Sequence, residues 1–334
     1  MKTEINDPLV SVIIPTRNRP ELVCRAVRSA LDQTYKKLEV TVVIDGPDSA
    51  TSRALASLNE PRLRVVSLHE NVGGSATRNI GAREANGQWI ALLDDDDEWL
   101  PLKIETQLVL CRNSLHAFPI VSSRVIARSP LSDYLWPQLE PFTPIADYLM
   151  QRKGLFQGDG LLQTSTLLIP SQLLQICPFT SGLRKHQDWD WLIRALDIPG
   201  AGIEFSPDPL VIWYIEENRN SISGENAWRF SLEWLNSVKH FCSKSSYASF
   251  LLTVVSPAAA DKRQWSAFFP ILIKAYSEGE PRLIHALLHC AFWLVPRDTR
   301  RLFRRLSRGR PKDVASVLVE ETITSKRACR TRAN

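Results

Sequence analysis

Residues 88–101 read QWIALLDDDDEWLP. The apolar run 89–93 has the length and composition of a short buried strand, and four consecutive carboxylates, Asp94, Asp95, Asp96 and Asp97, follow at its C-terminal end. No ordinary turn needs four acids. Like charges packed into one short segment repel, and a hard divalent cation that takes carboxylate oxygens from two or more of them removes the repulsion. Successive strand residues point to opposite faces, so alternation sets Asp94 and Asp96 on one side and Asp95 and Asp97 on the other. Asp94 and Asp96 are therefore the candidate pair for a metal–phosphate site, at the strand end where open α/β sheets bind ligands. A solvated acidic loop is the competing reading.

Upstream, residues 10–14 (VSVII) read as a strand stopped by Pro15. A helical period follows, with Leu22, Val23, Ala26, Val27, Ala30 and Leu31 on one face and Arg25 and Arg28 on the other. Asn18 is placed to cap this helix and Pro20 falls in its first turn, which leaves 15–19 as the strand-to-helix loop. That loop has neither GxGxxG nor GxxxxGK[ST], which disfavours dinucleotide-binding and P-loop folds. Residues 39–44 (EVTVVI) form a second strand ended by Asp45-Gly46-Pro47-Asp48; a helix around 52–58, a strand over 63–68 and a helix over 75–85 lead back to the acid-rich strand. Strands alternating with helices predict a mostly parallel, doubly wound α/β sheet, with Asp45 and the carboxylate run on one edge.

Downstream, 120–127 reads as a strand, 145–151 as a short helix able to wall an acceptor cleft, 163–169 as a strand ended by Pro170, and 172–176 as a helix. HQDWDWLIRAL (186–196) sets Asp188 near a helix N-terminus, with Trp191, Leu192 and Ala195 on a buried stripe. A strand pair broken by Pro207 and Pro209 is expected over 203–215, then helices over 227–241, 247–255 and 265–276. Residues 283–295 (LIHALLHCAFWLV) are nearly all apolar but fall short of the ~20 residues that cross a bilayer. Arg297, Arg300, Arg301, Arg304, Arg305, Arg308 and Arg310 follow. An apolar helix beside an arginine cluster suits an anionic membrane surface, and a packed helix with a solvated basic tail accounts for it equally.

The 334 residues, 44% of them hydrophobic, are ample for a core, and a formal charge of +5 does not point to nucleic acid. Six cysteines, at 24, 111, 177, 242, 290 and 329, are scattered singly without zinc spacing, and the N-terminus lacks the apolar run of a secretory signal. A cytoplasmic chain is expected, with a peripheral place at the inner membrane face as a further candidate.

The succession VSVIIPTRNRPELVCRAVRSALDQTY, VVIDGPDS, NVGGSATRNIGAREANGQWIALLDDDDEWLPLK and KHQDWDWLIRAL resembles the family 2 glycosyltransferases of GT-A fold, over residues 10–223. The resemblance implies a catalytic domain over 1–224 with a Rossmann-like sheet flanked by helices, followed by a helical C-terminal region over 225–334 with a basic tail. It also implies inverting transfer of a sugar from a nucleotide-diphosphate donor with the help of Mn2+ or Mg2+, to a saccharide or lipid-linked acceptor in polysaccharide or glycolipid synthesis. Pro15, Thr16 and Asn18 match the loop that lines the nucleotide pocket, and Asp45 matches the acid beside the donor base. The chain departs from the family here, having one acid before Gly46-Pro47 where two acids are common. Arg78 matches a residue for the donor phosphates. Asp94 and Asp96 match Asp-x-Asp, the second as the metal ligand, with Asp95 between them in the donor site. Arg219 sits in a segment (ENRNSIS) that resembles a flap over the diphosphate. Asp188 matches the catalytic base, since a carboxylate within hydrogen-bond reach can take the proton of an attacking sugar hydroxyl; Gln187 stands where many members carry Glu. Each of these residues also has a plain structural reading, as a cap, turn or solvated helix residue. The alternative functions are a nucleotide-sugar-binding scaffold without turnover and, less well matched, a sugar-1-phosphate nucleotidyltransferase. Processive synthesis is disfavoured by the lack of spanning segments and of Gln-x-x-Arg-Trp.

Overall fold

β-branched runs too continuous to alternate are the signature of strands covered on both faces. Val10, Val12, Ile13 and Ile14 in the first strand, and Val40, Val42, Val43 and Ile44 in the second, are all fully buried. The computed structural model describes residues 7–130, 133–154, 160–215, 227–296 and 299–300. Its first half runs β1 (Val10–Thr16), α1 (Pro20–Leu31), β2 (Leu38–Ile44), α2 (Ser49–Ala56), β3 (Leu63–Ser67), α3 (Gly74–Glu84) and β4 (Trp89–Leu92). The four strands lie in the order β3-β2-β1-β4 and pair in parallel. Their carboxyl ends, carrying Thr16, Asp45 and the acid run, therefore share one edge.

β5 (Glu98–Trp99), α4 (Lys103–Asn113), β6 (Phe118–Arg128), β7 (Asp133–Trp136), α5 (Ile145–Met150), β8 (Leu168–Pro170), α6 (Ser171–Ile176), α7 (Gln187–Ala195) and β9 (Ala201–Tyr214) follow. They make the sheet mixed. β8 joins β4 and β6 antiparallel, β9 lies parallel to β6, and β5 and β7 pair antiparallel with β9 and β6. The fold is thus the expected α/β, all-parallel in its N-terminal half and mixed beyond it, where only β6 and β9 pair in parallel.

Several expectations need correction. Asn18 does not cap α1: it takes a left-handed turn (φ 52), open to Asn among few residues, and Arg19 precedes Pro20 without a side-chain cap. Asp48 does the fastening there, accepting from Asn18 N at 2.7 Å and from Thr51 N at 3.0 Å at the start of α2. Residues 163–169 are not one strand. Gln163 caps a 3-10 turn, Thr164–Thr166, and only the tip continues into β8. Pro207 and Pro209 do not split a strand pair; β9 runs through both, with its register shifting opposite Ser123 and Arg124.

Helices α8 (Ala227–Ser237), α9 (Lys244–Phe250), α10 (Ser256–Ala260), α11 (Phe268–Glu278) and α12 (Leu283–Leu294) complete the described chain. Trp234, Leu235, Phe250, Leu288 and Phe292 share one apolar core with Trp191 of α7 and Ile13 and Leu92 of the sheet. None of the described helices is long and apolar enough to cross a membrane.

Candidate active site

The acid run leaves β4 through a tight turn in which Asp97 N donates to Asp94 O at 3.1 Å. That turn ends the strand alternation that set Asp94 and Asp96 on one side. Asp95 and Asp96 meet instead: Arg19 Nη1 is 2.8 Å from Asp95 Oδ1 and 3.0 Å from Asp96 Oδ2. Asp95 also accepts from Thr16 Oγ1 at 2.8 Å, which ties the acid turn to the end of β1. Burial pushes the Asp95 carboxyl up to about 6, with Arg19 opposing the rise and Asp96 adding to it. Arg25, expected on a solvated helix face, donates to the Asp96 carbonyl at 2.7 Å and pairs with Glu98 at 3.1 Å. Asp97 is fully buried, accepting from Gln163 Nε2 at 2.5 Å and Ser165 Oγ at 2.6 Å. Burial first, then Asp94 and Asp96, hold its carboxyl well above the usual range. It fastens the 3-10 turn to the acid run.

Asp94 faces the other way. It pairs with Arg78, a side chain only 10% exposed, whose Nη1 donates to Gln187 Oε1 at 2.7 Å. α3 delivers Arg78 at this depth because Gly81 lets the helix lie against the sheet: a Cβ there would stand 2.4 Å from Ile13 Cγ2. Gln187 opens α7, so Arg78 bridges the end of β4 to the helix that carries Asp188. Asp188 accepts from Trp189 N at 3.0 Å and keeps one edge open to solvent. Burial raises its carboxyl to about 6, with Arg78 lowering it and Asp94 raising it.

The rest of α7 is clamped. Asp190, which points away from Asp188, accepts from Thr180 Oγ1 at 2.7 Å, Arg194 Nε at 2.9 Å and Trp234 Nε1 at 3.1 Å. Trp191 is buried on Phe179, ring centroids 5.4 Å apart, and donates to Cys177 O at 2.7 Å. His186 precedes the helix in a left-handed turn (φ 64), shares a hydrogen bond with Ser231 Oγ at 2.8 Å and stacks on Trp234. Burial, then Lys185, pushes it down to about 3, so it is neutral.

Asp45 accepts from Val72 N at 2.7 Å and Gly73 N at 3.1 Å, fixing the glycine-rich loop that opens α3. Pro15 and Thr16 end β1 beside it, and Arg219 lies outside the described residues. Thus Thr16, Arg78, Asp94, Asp95, Asp96 and Asp188 gather at one edge, Asn18 and Asp45 at its flank. Sequence reasoning missed Arg19, Arg25, Gln163 and Ser165. For Arg19 the signal was an arginine in the β1–α1 loop, facing an acid run on the neighbouring strand; the other three carry no local signal.

Among the described residues no group of three or more Asp, Glu, His and Cys side chains is arranged to hold an ion alone. The donors at hand are hard carboxylate oxygens already drawn to one cationic centre, the Arg19 Nη1 between Asp95 and Asp96. That set fits Mg2+ or Mn2+ bound by one or two carboxylates and completed by a diphosphate and water.

The sequence model described as Glycosyl transferase family 2 matches residues 11–153, which span β1, the acid turn and α5. The chain carries a family 2 glycosyltransferase domain. The chain is 29% identical over 192 residues to the putative colanic acid biosynthesis glycosyl transferase WcaA of Escherichia coli, covering 57% of this chain and 66% of that protein. It is 26% identical over 243 residues to the amylovoran biosynthesis glycosyltransferase AmsB of Erwinia amylovora, covering 70% and 79%. Its fold is that of GT-A glycosyltransferases. S. aureus TarS 1-349 in complex with UDP-GlcNAc superposes with a TM-score of 0.55 at 17% identity, over 88% of this chain and 92% of that one. The mannosyltransferase PcManGT of Pyrobaculum calidifontis, in complex with GDP-Man and Mn2+, superposes with a TM-score of 0.54 at 18% identity, over 90% and 84%.

Proposed function

We propose that this protein transfers a sugar, with inversion, from a nucleotide-diphosphate donor to a hydroxyl of a saccharide or lipid-linked acceptor in polysaccharide synthesis. The observation that carries the reading is Arg78, hydrogen-bonded at once to Asp94 of the acid turn and to Gln187 beside Asp188. It supports one cleft in which a diphosphate-binding edge and a proton acceptor face each other. The relatives named for exopolysaccharide synthesis support the acceptor class, and neighbours holding UDP-GlcNAc and GDP-Man support the donor class.

Asp188 takes the proton of the acceptor hydroxyl as that oxygen bonds to the anomeric carbon from the face opposite the diphosphate. The carbon–oxygen bond to the diphosphate breaks, and the electron pair leaves with it. A carboxyl that ionises at about 6 is mostly anionic at pH 7, yet basic enough to hold a proton as the bond forms. Arg78 and Arg19 set positive charge at the diphosphate edge, and Thr16, Asn18 and Asp45 line the nucleotide side. Asp96, with Asp94 or Asp95, would hold Mn2+ or Mg2+; when bound, the ion neutralises charge on the departing diphosphate. Residues 1–224 form the catalytic unit in this reading, and the helices from 225 onward, with the basic tail, hold it at an anionic membrane surface.

Calorimetric titration with UDP, GDP, CDP and dTDP, each with and without manganese, tests the donor site. Metal-dependent binding of one nucleotide is expected and fixes the base; no binding of any would overturn the site and leave a scaffold on the same fold.

A further inference from the structure

α12 is built inside out. Its twelve residues hold no Asp, Glu, Lys or Arg, and its two polar side chains, His285 and His289, are fully buried while Leu283, Leu287 and Leu294 are 75%, 58% and 74% exposed. The histidines have inward partners: His285 Nε2 meets Arg152 O at 2.9 Å, and His289 Nδ1 meets Ser256 Oγ at 2.8 Å. The three leucines fall at i, i+4 and i+11, one stripe of the helix. The neighbouring α11 repeats the pattern, with Phe269, Ile273 and Tyr276 58–66% exposed at i, i+4 and i+7, and Trp265 one turn before them, 57% exposed. A surface helix of a water-facing protein turns charges outward and leucines inward. Here the outward stripes of two packed helices are apolar.

The chain directly after this hairpin is strongly basic. Seven arginines and a single acid occupy residues 297–310, directly after α12, and residues 301–334 carry ten basic against three acidic residues. Apart from residues 299–300 this segment lies outside the described residues; Arg300 pairs with Asp261, next to exposed Lys262 and Arg263. A second copy seated on the same face would bring two such arginine clusters together. An anionic apolar surface satisfies both features at once.

We propose that the solvent-facing side of the α11–α12 hairpin is a membrane-docking face that inserts Trp265, Phe269, Leu283, Leu287 and Leu294 into the headgroup layer of an anionic bilayer. This deepens the membrane part of the function proposed above and is independent of its transferase part. Aromatic and leucine side chains supply the apolar insertion of an in-plane helix, and each flanking arginine adds attraction to anionic lipid.

The test is flotation of the full chain with phosphatidylglycerol/phosphatidylcholine vesicles and with phosphatidylcholine alone, for the wild type, Phe269→Glu, Leu287→Glu and the control Leu115→Glu. Leu115 is fully exposed in the α4–β6 connection, outside the hairpin. The expected result is binding to anionic vesicles only, weakened about ten-fold or more by each hairpin variant and within two-fold of wild type for the control. Nucleoside-diphosphate titrations of the variants stay at the wild-type value, which separates this face from the donor site. Hairpin variants that bind as wild type would assign the attraction to the basic segment alone and overturn the proposal. So would an absence of binding to anionic vesicles, or a wild-type dimer that the hairpin variants dissociate.

Discussion

Replacing Asp188 by Asn separates what the fold prefers from what the chemistry needs. The asparagine keeps an oxygen for the Trp189 N–H and removes the charge. The folded protein holds a carboxyl that ionises at about 6 rather than at 3.8, so its neutral form is the one the fold favours. Keeping it anionic at pH 8 costs about 3 kcal/mol by linkage, or about 2 to 3 kcal/mol once its solvent-facing edge is allowed for. The sign follows from the raised value. The penalty is absent below 3.8, grows as pH rises through the folded value near 6, and is complete above about 7. Asp188→Asn therefore raises Tm by about 3 to 4 °C at pH 8 and by about 1 °C or less at pH 4. The same substitution lowers turnover by about 10²- to 10⁴-fold, the usual contribution of a general base. Wild-type kcat/KM is expected to rise with pH through about 6 and to level above it. Differential scanning calorimetry from pH 4 to 8 and release of nucleoside diphosphate from the donor sugar measure the two effects. A variant that turns over normally, or one equally stabilised at pH 4 and pH 8, would refute the assignment.

Asp96→Ala is expected to weaken nucleoside-diphosphate binding only when Mn2+ or Mg2+ is present; calorimetry showing equal loss with and without metal would remove Asp96 as the metal ligand. Arg78→Lys keeps the charge but cannot reach both Asp94 and Gln187, so nucleoside-diphosphate affinity should fall about ten-fold, while an unchanged Kd would place the diphosphate elsewhere. Gly81→Ala brings a methyl against Ile13 and should destabilise by about 1 to 3 kcal/mol in urea denaturation, with native stability in the variant arguing that α3 can lift off β1.

Much of the architecture was legible because it rests on local pattern. The strands β1 to β4 announce themselves as β-branched runs, and once they pair in parallel their carboxyl ends must share an edge, so Asp45 and the acid run are placed together by the sequence alone. α7 was legible for the same reason, its buried Trp191, Leu192 and Ala195 recurring at helical spacing and leaving Asp188 at the start. β5, two residues long, and β7 carry too little pattern to be read, and they exist because β9 and β6 offer them edges.

What the sequence determined by itself is therefore the class of fold, the edge that carries the acids and the identity of Asp188 as a candidate base, since hydrophobic period and the alternation of strands with helices depend on neighbours along the chain. Which carboxylates face one another was decided only in three dimensions. A single turn from Asp94 to Asp97 rotates the run out of its strand alternation, Arg19 from a different loop gathers Asp95 and Asp96, and Arg78 from a different helix takes Asp94 toward Asp188. Charge pairing acts through space over a few ångströms, between residues such as Arg19 and Asp95 that lie 76 positions apart, and no local period records it. The outward face of α12 is of the same kind. Its composition was plain in the sequence, but only packing against Arg152 and Ser256 chose the histidines for the inside and left Leu283, Leu287 and Leu294 to the surface.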